Sequence, residues 1–215
     1  MFQRPLDKEE LQRREAIGVI RASRFVRKYA NSNHLISMHT ICDIHKEIFN
    51  NVWPEIAGKY RQENLKITAS KHHPPHFKDV PALMEESGKI FNDKLEKLKK
   101  EKVLMNEATD KTINSIDEIV SVATWIHHKI TFIHPFREGN GRTARLAANL
   151  ILEKHGLVGI SIKIEKENKD QYRKALAQID SYEDYEPLKE LIYEGLIERY
   201  KGVCVKYYDV KNKDE

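Results

Sequence analysis

Cysteine is nearly missing from this chain: 215 residues hold only Cys42 and Cys204, far apart in sequence. That leaves no disulfide framework and no Cys ligand set for a structural zinc. No apolar h-region follows Met1, so both cysteines are read as free thiols of a reducing compartment, and the expected location is cytoplasmic. Glycine and proline are sparse, at 9 and 7, which excludes collagen and low-complexity disorder. No run approaches the roughly 18 apolar residues of a membrane span, so no membrane partner is expected. Charge of one sign is also scarce. The 37 basic and 33 acidic side chains leave a net +4, interspersed, with no basic face that would call for nucleic acid. The length suits one domain able to bury roughly 70% of its unfolded surface.

What is present is helical periodicity. Asp7 and Glu10 form a capping pattern ahead of a helix with Val19, Ala22, Val26 and Ala30 on one face. A second helix starts near Ser37 and carries Ile41, Ile44 and Ile48. A third follows Pro81, with Leu83, Ile90, Leu95 and Leu98 expected to face inward. The Lys-rich stretch 97–112 reads as an exposed connection. Ser115 to Glu118 is a capping box opening a helix whose stripe is Ile119, Val122, Ala123, Ile126 and Ile130. Further helices are predicted over about 141–155, 166–179 and from Pro187 onward, the last with Leu188, Leu191, Ile192 and Leu196 inside. Two segments break the pattern. Leu65 to Lys78, with its run His72-His-Pro-Pro-His76, suits a surface hairpin. Val158 to Ile164 alternates with period two and suits an edge strand or an extended connection. The fold class is therefore all-α with a small β-hairpin.

The chemistry concentrates in His134-Pro-Phe-Arg-Glu-Gly-Asn-Gly-Arg-Thr-Ala-Arg145, between two helices. Gly139 and Gly141 allow a tight turn and close backbone approach. The next helix begins there, so its unpaired N–H groups and positive dipole end face the loop, a ready anion site. Arg142 and Arg145 lie three apart on one helical face and can grip phosphate oxygens further out. Glu138 sets a carboxylate beside that anion site, which makes electrostatic sense with a cation between them. Mg²⁺ fits, since it is held by few carboxylates plus phosphates. His134 can take a proton near neutral pH. A P-loop fits poorly, for there is no Gly-x-x-x-x-Gly-Lys-Ser/Thr here and no preceding strand.

This segment resembles the signature of the Fic family, His-Pro-Phe-x-Asp/Glu-Gly-Asn-Gly-Arg-x-x-Arg, at every specified position. The likeness extends outward to Ile67–Met84, similar to the family's flap hairpin and following helix. It also takes in Trp125–Ile133 and Asp184–Leu188, and spans roughly residues 35 to 200. It implies a Fic-type helical domain over 35–200, an N-terminal helical extension over 1–34 and a C-terminal tail over 201–215. It further implies transfer of AMP from ATP, with Mg²⁺, to a Ser, Thr or Tyr hydroxyl of a target protein. His134 would be the base. Gly139, Asn140 and Gly141 would hold the α-phosphate, Arg142 and Arg145 the outer phosphates, and Glu138 the metal. Phe136 would be a buried anchor. Ile67, Thr68, Ala69 and Ser70 would pair with an extended target segment by strand addition. Gly141 stands where the phosphate-transferring death-on-curing relatives carry Lys, which favours AMP transfer. Removal of AMP, transfer of another phosphate-linked group, and a silent peptide-binding module are the alternatives.

Two other features were weighed. His72, His73, His76, His127 and His128 lack metal-ligand spacing and are read as structural. Many Fic proteins restrain themselves with a glutamate in a Ser/Thr-x-x-x-Glu-Gly/Asn helix that pairs with the motif's last Arg. No full match exists here. Glu194-Gly195 has Glu190 at the Ser/Thr position and lies off its helix's apolar stripe. The expectation is no such restraint in cis, or a separate inhibitory partner inserting a carboxylate beside Arg145.

Overall fold

A computed structural model describes residues 7–67, 72–98, 110–161 and 169–211. The order is α1 (Lys8–Ala30), α2 (Met38–Phe49), a 3-10 turn (Phe77–Asp79), α3 (Val80–Leu98), α4 (Asp110–Ile133), α5 (Asn140–Lys154), α6 (Lys169–Tyr182) and α7 (Glu186–Lys211). The all-α expectation holds. Among the described residues there is no strand. Thr68, Ala69 and Ser70 lie outside the described residues, and the chain on either side of them is irregular. Residues 158–161 are irregular as well, and 162–164 lie outside the described residues.

Local chemistry sets the helix starts. The Asp7 carboxylate accepts the Glu9 and Glu10 N–H groups at 2.9 Å each, satisfying two orphan donors of α1. Before α2, the Thr40 hydroxyl accepts the Ser37 N–H at 3.1 Å. Two expectations need correction. Ile90 is 43% exposed, because the inner stripe of α3 is Val80, Met84, Ser87, Phe91 and Leu98, one position over. Phe91 stacks toward Trp125 of α4 at 6.1 Å between ring centroids. And α4 begins at Asp110, within the stretch expected to be a connection. Ser115 is buried inside it, not capping it.

α4 is the central helix, apolar on nearly every side, with Ile119, Val120, Ala123, Ile126 and Ile130 fully covered. α5, α3, α6 and α7 pack around it, and α1 lies across α2 and α5. No helix among the described residues is long and apolar enough to cross a membrane.

The α1–α2 crossing is closest at Gly18, where an added Cβ would sit 2.0 Å from the Ile48 carbonyl oxygen. Backbone cannot yield as a side chain can. Gly18→Ala should therefore lower stability by about 2–3 kcal/mol despite Ala's better helix propensity. Gly88→Ala, which meets only the flexible Met38 side chain at 3.2 Å, should cost less than about 1 kcal/mol. Urea unfolding of both variants checks the contrast.

Candidate active site

The loop from His134 to Gly139 joins α4 to α5, and its shape follows from a few short-range constraints. The His134 N–H still donates to Ile130 at 3.0 Å, the last turn of α4. The chain then reverses, with His134 itself in the left-handed region at φ 52°. Phe136 is fully buried, as an anchor should be. Asn140, also buried, closes the loop: its side-chain oxygen accepts the Phe136 N–H at 2.8 Å and its amide donates to the Phe136 carbonyl at 2.7 Å. Gly139 caps α5 at φ 76°, and an added Cβ would lie 2.3 Å from the Phe49 ring. Glycine is required there on both counts. At Gly141 a Cβ would meet only Arg145 Nη1, at an ordinary 3.5 Å, so packing sets no demand for glycine at this position.

His45 of α2 braces the loop from below. Its ring lies 3.9 Å from the Phe136 ring, nearly parallel at 7°. The Gly58 N–H donates to Nδ1 at 2.9 Å, so the ring proton sits on Nε2, which donates to the Glu138 carbonyl at 3.1 Å. Burial drives the His45 pKa down to about 3, which keeps the ring neutral.

His134 has a defined tautomer for the same kind of reason. Nδ1 lies 3.2 Å from the Thr131 carbonyl, which can only accept, so Nδ1 carries the proton and Nε2 the lone pair. Burial holds the His134 pKa below the ordinary imidazole value. Arg61 and His72 push it the same way, while the Thr131 bond and Glu138 oppose. The ring is a base at neutral pH.

The two arginines differ. Arg142 is engaged: Nη1 meets the Glu15 carboxylate at 2.5 Å, Nη2 lies 3.6 Å from Glu138, and the guanidinium rides 5.3 Å above the Phe49 ring. Arg145 makes no hydrogen bond or ion pair to the described residues, although burial is the chief influence on it and depresses its pKa. Under it, His127 Nε2 and the Tyr172 hydroxyl are 2.8 Å apart, and burial takes the His127 pKa down to about 3. A desolvated guanidinium beside a helix start with no side-chain cap has the chemistry to receive an anion.

The loop thus brings His134, Glu138, Gly139, Asn140, Gly141, Arg142 and Arg145 together. The Asn140 side chain bonds both main-chain groups of Phe136. Ile67 is half-buried in irregular chain, and its three docking neighbours lie outside the described residues. His128 and His72 both face Asp180, at 2.8 and 3.6 Å. Among the described residues no group of His, Cys, Asp or Glu is arranged to hold a metal ion by itself. Sequence reasoning missed His45, Arg61 and Glu15. Glu15 is a carboxylate at the motif that the glutamate pattern does not describe. It reaches the motif at Arg142, not Arg145, and escapes the glutamate pattern because Leu11 and Ala16 stand at its fixed positions. Glu194 is exposed on α7.

The class is a helical domain with a glycine-rich turn into a helix start, flanked by a buried histidine and two arginines. The model of the Fic/DOC family matches residues 35–152, and the chain belongs to that family. It is 30% identical over 159 residues to a "Protein adenylyltransferase Fic" of Nematostella vectensis, covering 74% of this chain and 33% of that one. It is 26% identical over 193 residues to "Protein adenylyltransferase fic-1" of Caenorhabditis elegans, covering 87% and 34%. The chain therefore spans about a third of the length of the curated relatives it matches. In fold it is similar to a solved Fic-1 fragment of Caenorhabditis elegans, with a TM-score of 0.69 and 22% identity over 96% of this chain and 56% of that one. It is also similar to BepC of Bartonella tribocorum, solved with bound AMPPNP, at TM-score 0.59 and 16% identity over 88% and 87%.

The His45 brace has a pH consequence. A free histidine titrates near 6.5 and His45 near 3, so between these values the unfolded chain binds a proton that the folded chain refuses. This contribution is whole above pH 6.5 and is lost as pH falls, at about 1.4 kcal/mol per pH unit. His45→Gln should flatten the stability slope between pH 6 and 4 by one proton, which denaturant unfolding at several pH values measures.

Proposed function

We propose that the chain transfers AMP from Mg²⁺-ATP to a Ser, Thr or Tyr hydroxyl of a target protein. The observation that carries this reading is Arg145, a half-buried guanidinium with no partner among the described residues, beside the open N-terminus of α5. The names of the relatives support it. The α-phosphate sits against the N–H groups at Gly139, Asn140 and Gly141, and Arg145 takes the γ-phosphate. Arg142 takes the β- and γ-phosphates once it leaves Glu15. Glu138 would hold Mg²⁺, an ion that binds one or two carboxylates together with phosphates. Bound there, Mg²⁺ neutralises phosphate charge.

His134 Nε2 takes the proton of the attacking hydroxyl. The hydroxyl oxygen bonds to the α-phosphorus, the bond from that phosphorus to the α,β-bridging oxygen breaks, and pyrophosphate leaves. Asn140 acts on this step through the loop it closes. Ile67, Thr68, Ala69 and Ser70 align the target by main-chain pairing, which supplies the orientation such transfers need. In this reading residues 35–200 are the Fic domain, 201–215 a tail, and 1–34 an extension that restrains it through Glu15. A separate partner's carboxylate would find its place at Arg145.

Incubation with α-labelled and with γ-labelled ATP tests the proposal: label on protein from the α-position alone supports it, and label from neither, or from γ, overturns it. His134→Ala should keep ATP binding and lose transfer by about 10²-fold or more. Because the His134 pKa is lowered, transfer should stay level down to pH 6.5 and fall only in more acidic solution, as Nε2 gains a proton. A midpoint above 6.5 in a pH–rate series would contradict this.

Glu15→Ala should free Arg142 and tighten ATP binding about ten-fold, with a matching rise in self-labelling. Glu194→Gly should change neither. Calorimetric titration with ATP reads both.

A further inference from the structure

Arg61 is 4% exposed, and nothing in the reading above uses it. Its donors all go to main-chain carbonyls. Nε donates to His134 at 2.8 Å, Nη1 to Glu63 at 2.9 Å and Nη2 to Pro75 at 2.5 Å. Its own N–H donates to the Pro135 carbonyl at 2.8 Å. No carboxylate pairs with it among the described residues. Burying a cation is costly, and an apolar side chain would fill the same space without that cost. The planar fork does what no apolar residue can, tying three separate carbonyls at fixed angles.

Those carbonyls are informative. His134 is itself the residue held at φ 52°, and the His134 and Pro135 carbonyls follow directly on that turn; the conformation is uncommon outside glycine and persists only where its surroundings over-determine it. Glu63 and Pro75 lie on the two sides of the excursion that holds Ile67. We propose that Arg61 is a positioning residue: it locks the left-handed turn at His134 so that Nε2 faces the nucleotide, and it gathers the chain at Glu63 and Pro75 onto the same frame. This rests on the transfer reading above. The phosphate cradle is held separately, by His45 and Asn140. Arg61 should therefore govern transfer and not nucleotide affinity.

The charged groups facing His134 are Arg61 and His72, which depress its proton affinity, and Glu138, which raises it. Charge and geometry separate by substitution. Arg61→Lys keeps the charge but offers a compact ammonium in place of the fork. Transfer from α-labelled ATP should fall roughly ten-fold to a hundred-fold, with ATP affinity by calorimetry within about two-fold of wild type. The His134 titration followed by ring ¹⁵N shifts should stay near wild type, while the Nδ1–H signal fixed by Thr131 gives way to mixed tautomers. Arg61→Met should in addition raise the His134 midpoint. Full transfer by Arg61→Lys, or parallel loss of ATP affinity and transfer, overturns the proposal. If the wild type transfers nothing, the functional reading fails on its own. The ring spectra then decide Arg61: an unchanged His134 tautomer in Arg61→Lys overturns the role, and a mixed one upholds it.

Discussion

Two hydrogen bonds between the Asn140 side chain and the Phe136 main chain hold the rest of the site in place. The amide imitates a peptide group, so a loop too tight for regular backbone pairing still satisfies both buried polar groups of Phe136. Once closed, the loop has Phe136 in the core, Gly139 against Phe49, and the first N–H groups of α5 facing outward. His45 then locks it from beneath through a stacked ring and one bond to Glu138. The brace itself is neutral, and the charged groups at the cradle are Glu138, Glu15 and the two arginines. The positive groups, Arg142 and Arg145, stand one and two helical steps further on, where charge belongs to the ligand and not to the scaffold.

The site therefore separates two tasks. Holding shape falls to groups whose bonds go to main chain: Asn140, His45 and Arg61. Binding charge falls to side chains whose own partners are few or exchangeable. Arg145 has none among the described residues, and Arg142 has Glu15 with Glu138 further off. His134 sits between the classes. Its backbone belongs to the scaffold and its ring to the chemistry, which is why so many contacts converge on the few atoms around it.

Much of this was legible in sequence because the motif is contiguous. His134, Glu138, Gly139, Arg142 and Arg145 are brought together by one turn and one helix, and helical spacing alone places them. The helices themselves were legible for the same reason, with errors where periodicity is a blunt instrument: Ile90 and Phe91 are both apolar and adjacent, and only packing against Trp125 selects the second. The supporting residues were not legible. Arg61 lies 73 positions from His134, His45 lies 93 from Glu138, and Glu15 lies 127 from Arg142. Read one by one, each is an ordinary charged or core residue. Asn140 has a structural task that the motif does not announce, closing the loop on both main-chain groups of Phe136.

The close crossing at Gly18 takes on a second meaning once Glu15 is placed. Both lie on α1, three residues apart and less than one turn, so the close approach to Ile48 seats the part of the helix that carries Glu15. The contact between Glu15 and Arg142 thus shares its footing with a place where two backbones meet and no side chain separates them.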